Sequence, residues 1–315
     1  MKCLVTGGAG FIGSHIAEAL IRRGDAVRVF DNLTTGKKEH LASVLDRIEF
    51  LEGDLRRAED LARAVRGIEV VFHQAALRSV PRSVDDPAST NDINITGTLQ
   101  LLMACRAAGV KRLVYASSSS VYGDHLKYPQ TESMRTAPIS PYAVSKLAGE
   151  NYCVVFAKTF GLETVSLRYF NVFGPRQHPE SQYAAVIPKF MQSALRGQPL
   201  EVHWDGKQSR DFTYIDNVVQ ANLLAASASG VSAEAFNIAS GKSISLLHVI
   251  AALEKSAGRR LERRHTPPRS GDVRKTWADI RKAKKRLRYQ PRIDFAEGLR
   301  RTWAWFQKQP LNTDD

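Results

Sequence analysis

Apolar positions in the N-terminal part of the chain fall into short continuous runs separated by stretches with helical spacing. The runs Lys2 to Thr6, Ala26 to Phe30, Ile48 to Leu51, Glu69 to Phe72, Lys111 to Ala116 and Thr164 to Leu167 are four to six residues long and rich in β-branched residues. Runs of that length predict strands. Between them Ile12, Ile16, Leu20 and Ile21 lie close to one face of a helix, and further helical patterns cover Ala58 to Arg66, Thr90 to Ala108 and Pro141 to Thr159. Strand and helix in alternation predict an α/β fold, a doubly wound parallel sheet of Rossmann type, whose ligands sit at the C-terminal ends of the strands.

After Gly174-Pro175-Arg176 this rhythm breaks into shorter elements punctuated by Pro179, Pro188, Pro199, Pro267, Pro268 and Pro291. The expected division is a dinucleotide-binding domain over 1–174 and a smaller mixed α/β substrate-binding region over 175–315, with strand or helix returns to the sheet. No low-complexity linker or internal repeat separates the two.

The first strand runs into Gly7-Gly8-Ala9-Gly10-Phe11-Ile12-Gly13, which opens the first helix. Strand, glycine turn and helix in succession suit a pyrophosphate, because the backbone comes close and the helix dipole favours its charge. Asp31 ends the second strand eighteen residues after Gly13, the place of a ribose-binding acid. With Asn32 rather than an arginine after it, the site favours NAD over NADP.

A second constellation lies at Ser140-Pro141-Tyr142-Ala143-Val144-Ser145-Lys146. Ser140 suits an N-cap and Pro141 the first helical position, so Tyr142 and Lys146, four apart, share a helix face. An ammonium near a phenol favours the phenolate, which makes the pair a candidate general base.

Charge and composition change this picture little. The 315 residues carry a formal net charge of +13 and a pI near 9.8, with basic clusters at Arg259 to Arg264 and Arg281 to Arg288. No aromatic-rich or helix-turn-helix pattern accompanies them, so they read as solvated faces, and no nucleic-acid partner is expected. Cys3, Cys105 and Cys153 are few and far apart, which argues for a reducing compartment and against a disulfide or zinc site. The histidines show no metal-ligand spacing, and no metal is expected. The N-terminus lacks a leader pattern and no apolar run reaches membrane-spanning length, so a cytoplasmic protein without a membrane partner is expected.

The glycine loop, Asp54-Leu55, Ala75-Ala76-Leu77, Asn94, the serines before Val121-Tyr122-Gly123, Tyr142 with Lys146, Arg168-Tyr169-Phe170-Asn171, Arg210-Asp211 and Gly271-Asp272-Val273 occur in the order seen in extended short-chain dehydrogenases that act on nucleotide sugars. Over nearly its whole length the chain resembles the UDP-hexose 4-epimerases, particularly those that accept N-acetylated sugars. The resemblance implies Tyr142 as base, Lys146 as its electrostatic partner and ribose ligand, and Ser118 as hydrogen-bonding partner of the sugar 4-hydroxyl, with Ser119 and Ser120 beside it. It implies NAD bound by Gly7, Gly10, Phe11, Ile12, Gly13, Asp31, Asn32, Gly36, Asp54, Leu55, Gln74, Ala75, Ala76, Asn94 and Tyr169 together with Tyr142 and Lys146. For the UDP-sugar it implies Asn171, Ala185, Val186, Arg210, Arg269, Asp272 and Thr276, the last being a small residue where UDP-glucose-restricted relatives carry tyrosine. It further implies a homodimer paired through the helices Thr90 to Ala108 and Pro141 to Thr159. Asp216, by contrast, reads as a helix N-cap.

Other readings stay open. A nucleotide-sugar dehydratase or decarboxylase shares the fold, yet related dehydratases carry an acidic pair, and decarboxylases a glutamate, where this chain has Ser118-Ser119-Ser120. A UDP-glucuronate 4-epimerase would need a cation for the sugar carboxylate, and Arg78, Arg82 and Arg176 are candidates. A non-enzymatic NAD- or RNA-binding Rossmann protein is a different class, against which the intact Ser118, Tyr142 and Lys146 argue.

Overall fold

The computed structural model of the protein describes residues 1–178, 185–267 and 273–309. Six strands form where the apolar runs predict them: β1 (Lys2–Thr6), β2 (Ala26–Asp31), β3 (Ile48–Glu52), β4 (Val70–His73), β5 (Arg112–Ser118) and β6 (Glu163–Tyr169). A seventh, Glu234–Ile238, completes one parallel sheet in which it lies outside β6, followed by β5, β4, β1, β2 and β3. Its apolar run is broken by Asn237, which is fully buried because Tyr122, Gln130 and Asp279 meet its side chain. Periodicity alone therefore misses it, and residues 175–315 do return to the sheet.

Side chains alternate between two cores, as the pleat requires. Cys3, Val5, Val29 and Val114 face α1 (Phe11–Arg22) and the helix Ile215–Ser227, whereas Leu4, Phe30, Val71 and Leu113 face α2 (Ala58–Val65) and the helices Gly97–Ala107 and Pro141–Phe160. The strand order reverses between β1 and β4, and a crevice opens there beyond their C-terminal ends.

Two local expectations need correcting. The Thr90 to Ala108 helix begins at Pro87 under an Asp86 cap and is widened by a π-helical turn over Asp92–Thr96, after which it continues as Gly97–Ala107. Asp216 is not an N-cap: Tyr214 occupies that position, and Asp216 lies in the first turn, 3.4 Å from Arg301. An acid two residues past the cap still suits the helix dipole, which explains why a sequence reading places the cap two positions late.

A buried polar network joins β5, β6, the seventh strand and the helix Pro141–Phe160. Arg168 donates to both carboxylate oxygens of Glu150 at 2.9 and 2.8 Å, and to the Tyr122 hydroxyl at 2.9 Å. Ser117 donates to Glu150 at 2.5 Å, and Tyr122 to Asn237 at 2.7 Å. The basic surface, in turn, is met by acids: Arg263 pairs with Glu254, Arg281 with Asp279, and Lys282 and Arg286 with Glu234. Among the described residues no helix is long and apolar enough to cross a membrane, and no cluster of His, Cys, Asp and Glu has the makings of a metal site.

Candidate active site

The crevice is walled by the glycine loop and α1 on one side, the ends of β2 and β3 on another, and the exit of β4. Gly7, Gly10, Phe11, Ile12 and Gly13 line it, with Asp31, Asn32, Asp54, Leu55, Gln74, Ala75 and Ala76. At Gly13 any side chain is excluded, since a Cβ there would lie 2.2 Å from the Gly7 carbonyl oxygen. Gly10 caps α1 without a side chain, so the amides of its first turn are left to whatever occupies the crevice. Gly13→Ala is accordingly expected to purify with less bound NAD than the parent protein, as read by an enzymatic NAD assay after denaturation. Equal content in the two would remove the close-approach argument.

Asp31 is held by two backbone donors, Ala9 N–H to Oδ2 at 2.9 Å and Leu33 N–H to Oδ1 at 2.8 Å. Each oxygen retains acceptor capacity, which fits a pair of ribose hydroxyls, while burial pushes the carboxyl pKa up and among the described residues no arginine stands beside it for a 2′-phosphate. Gly36 sits against Asp31, since a Cβ at that position would lie 2.9 Å from Oδ1. Asp54, by contrast, is pulled down to about 2 by the Arg56 guanidinium that grips it, and Asn32 donates to it at 3.3 Å. The crevice thus fits a dinucleotide with unmodified ribose.

Two residues expected beside the cofactor lie one layer back. Asn94, buried in the π-helical turn, accepts from Leu77 N–H and donates to Leu77 C=O and to Ser145, so it clamps the β4 exit loop. The Tyr169 hydroxyl donates to Asn222 at 3.0 Å and to Gln74 at 3.3 Å, fixing a crevice residue from behind. Sequence reasoning passed over Thr34, Thr35, Gly53 and Ile93, which also line the crevice. The signal for the threonines was their position in the loop leaving β2.

Tyr142 lies one turn before Lys146 on a helix capped by Ser140, whose hydroxyl accepts from Ala143 N–H at 3.2 Å. β5 runs on to Ser118, two residues past the end of its apolar run, and that hydroxyl opposes the rise of the Tyr142 pKa. Ser118 Oγ also accepts from the Ser120 hydroxyl at 2.9 Å, while Ser119 begins the tight turn that follows. The Lys146 ammonium is 5.9 Å from the Tyr142 ring centroid and donates to Ala116 C=O at 3.0 Å.

The expected lowering of the Tyr142 pKa by Lys146 is not what this geometry gives. Burial raises the phenol, and the groups that oppose it are Ser118 and Arg78. Burial also brings Lys146 down to about 8. The neighbouring His73, sealed between Thr6 and Thr98, falls to about 3 and is a neutral packing element at ordinary pH.

On the substrate side, Asn171 and Thr276 come together although 105 residues separate them, with Asn171 Nδ2 donating to Thr276 Oγ1 at 2.9 Å. Asn171 holds a φ of +28°, and Asp211 N–H also donates to Thr276 Oγ1 at 3.3 Å. Arg210 extends from the adjoining strand Ser209–Arg210. Ala185 and Val186 open the helix Val186–Arg196. Arg269 and Asp272 lie outside the described residues.

The family model for the NAD dependent epimerase/dehydratase family matches residues 3–239. A putative UDP-glucose 4-epimerase of Methanocaldococcus jannaschii is 39% identical, with 96% of this chain and 98% of that protein covered. Among solved structures, the Thermotoga maritima UDP-glucose 4-epimerase with UDP-glucose superposes with a TM-score of 0.93 at 40% identity, covering 98% of this chain and 99% of that one. The UDP-N-acetylglucosamine 4-epimerase of Methanobrevibacter ruminantium, in complex with UDP-N-acetylmuramic acid, gives the same TM-score of 0.93 and 40% identity, covering 97% and 98%.

Proposed function

The chain belongs to the NAD-dependent epimerase/dehydratase family, and on that premise we propose that it inverts carbon 4 of a UDP-hexose, with UDP-N-acetylglucosamine among its substrates. The observation that carries the reaction class is Tyr142, one turn before Lys146 on the helix capped by Ser140, together with Ser118 at the end of β5, where a dehydratase would need acids. Amides at the start of α1 would hold the cofactor pyrophosphate, Asp31 a ribose, and Lys146, with donors to spare beyond Ala116, the ribose at the reactive end. NAD, when bound, supplies a reversible hydride acceptor for sugar carbon 4 and a positively charged ring.

Tyr142 as phenolate accepts the 4-hydroxyl proton while Ser118 orients that hydroxyl, so a 4-keto sugar forms in the closed site. The same phenol returns its proton when the ketone is reduced from its other face. No net oxidation results, and the cofactor stays with the protein. Exposed Met103, Val144, Val155 and Phe160 on the helices Gly97–Ala107 and Pro141–Phe160 support the accompanying proposal of a homodimer.

The choice of sugar rests on Thr276. A threonine leaves room beside Asn171 that a tyrosine ring would fill, and close-packed sites tolerate little added volume. The test is to incubate the protein separately with UDP-glucose, UDP-N-acetylglucosamine and UDP-glucuronate, reading the products by NMR. Thr276→Tyr should lower kcat/KM for the N-acetylated sugar by about ten- to hundredfold relative to UDP-glucose. Conversion of UDP-glucuronate alone would overturn this choice of sugar, and an unchanged preference in the variant would remove Thr276 as its gate.

A further inference from the structure

Asp211 follows Arg210 out of the short strand Ser209–Arg210 and is fully buried. Four uncharged donors among the described residues meet its carboxylate. Oδ1 accepts from the Ser240 N–H at 2.9 Å and the Ser240 hydroxyl at 2.6 Å, while Oδ2 accepts from the Gly241 N–H at 3.1 Å and the Ala278 N–H at 3.3 Å. Burial pushes the carboxyl up to about 6 against these donors, which leaves it ionised at neutral pH. Its peptide groups are engaged as well. The N–H donates to Thr276 Oγ1 at 3.3 Å, and the carbonyl accepts from Asn171 Nδ2 at 3.5 Å.

Strand register explains why these segments meet. Tyr169 at the end of β6 is in register with Ser118 at the end of β5 on one side and with Ile238 at the end of the seventh strand on the other. Asn171 and Ser240 each follow two residues beyond that row, at the same C-terminal edge of the sheet that Ser118 reaches. Asp211 ties both of these strand exits to residues 276–278, which come from far along the chain. Arg210 is held separately, by antiparallel pairing with Ile244. Neither Asp211 nor any of its partners lines the cofactor crevice.

We propose that Asp211 is a positioning residue for the sugar, a buried anion that acts through Asn171 and Thr276 by fixing the wall they form. This rests on the reading of those two residues as neighbours of the sugar. A carboxylate accepts on both oxygens, so it can hold the Ser240 turn and Ala278 at once. The amide of similar shape cannot, because its nitrogen is itself a donor. In Asp211→Asn, an oxygen kept by Ser240 leaves that nitrogen facing the N–H groups of Gly241 and Ala278, and the segment carrying Thr276 loses its bond to position 211 from Ala278. A reacting centre misplaced by about 1 Å can cost about a hundredfold in rate.

The test compares kcat/KM for UDP-glucose and UDP-N-acetylglucosamine, the inhibition constant of UDP and the content of bound NAD in the full-length parent protein, Asp211→Asn and Ser240→Ala. Asp211→Asn should lose about ten- to hundredfold in kcat/KM on both sugars, with UDP inhibition within about twofold of the parent and equal bound NAD. Ser240→Ala removes one donor and leaves the Oδ2 pair intact, so it should lose about threefold with the same split. Unchanged kcat/KM in folded Asp211→Asn overturns the proposal alone. A fall in UDP affinity or in bound NAD as large as the fall in kcat/KM also overturns it, since Asp211 would then be a general support of the fold. Circular dichroism identifies a variant that has lost its fold, in which case Ser240→Ala decides by showing the split or not. A parent protein that converts neither sugar overturns the substrate reading, and this proposal with it.

Discussion

Tyr142→Phe should lower kcat by about 10²–10⁴-fold while leaving the melting temperature close to that of the parent protein. The ring is retained, so packing changes little, and what disappears is the oxygen proposed to take the 4-hydroxyl proton. Substrate binding should survive, because Asn171 and Arg210, the proposed substrate ligands, and the crevice walls are untouched; the loss therefore falls on kcat rather than KM. The profile of the parent enzyme also has a defined sense. Burial raises the Tyr142 pKa, so activity climbs with pH as phenolate forms. As pH passes about 8 the buried Lys146 ammonium gives up its proton. A variant retaining more than about a tenth of parental kcat would end the case for Tyr142 as the base.

Glu150→Leu should cost about 3–5 kcal/mol of folding stability, measured by urea denaturation, the usual penalty for leaving one member of a buried ion pair alone. Both side chains are 7% exposed, and Arg168 makes two of its bonds to that carboxylate. Burial works against the Arg168 charge, and the two Glu150 bonds more than restore it, so their removal leaves a buried guanidinium with no opposite charge and only the Tyr122 hydroxyl to receive it. Removing both partners in Glu150→Leu/Arg168→Leu should recover part of the loss, because no charge is then stranded. If the single variant cost less than about 1 kcal/mol, the pair would not be the brace between β6 and the catalytic helix that its geometry implies.

The parallel sheet was legible because strands buried on two faces write themselves as largely apolar runs, as in Val70 to Phe72 or Leu113 to Ala116. Glu234–Ile238 was not, because its place in the core is secured by hydrogen bonds to Asn237 rather than by an apolar side chain there. The glycine loop and Tyr142 with Lys146 could be read because their spacing along the chain is itself the geometry. What escaped was set by contacts between distant segments. The phenol's electrostatics depend on Arg78, 64 positions earlier, and on the extension of β5 to Ser118. The Lys146 ammonium points back to Ala116, a direction that four-residue spacing on a helix does not give.

The segment carrying Thr276 is pinned by its own backbone. Thr276 N–H donates to Ser209, its carbonyl accepts from Ser243, and Trp277 and Asp279 exchange main-chain bonds with Gln130 on a loop some 150 residues away. None of those bonds depends on which side chain occupies position 276. A wall built this way can have its lining exchanged, one residue at a time, while the wall stays where it is. On the proposed role of Thr276 as the gate for the sugar, substrate range is free to drift by single codon changes without a passage through unfolded intermediates, and a panel of variants at this position should differ far more in the sugars they convert than in the heat they withstand.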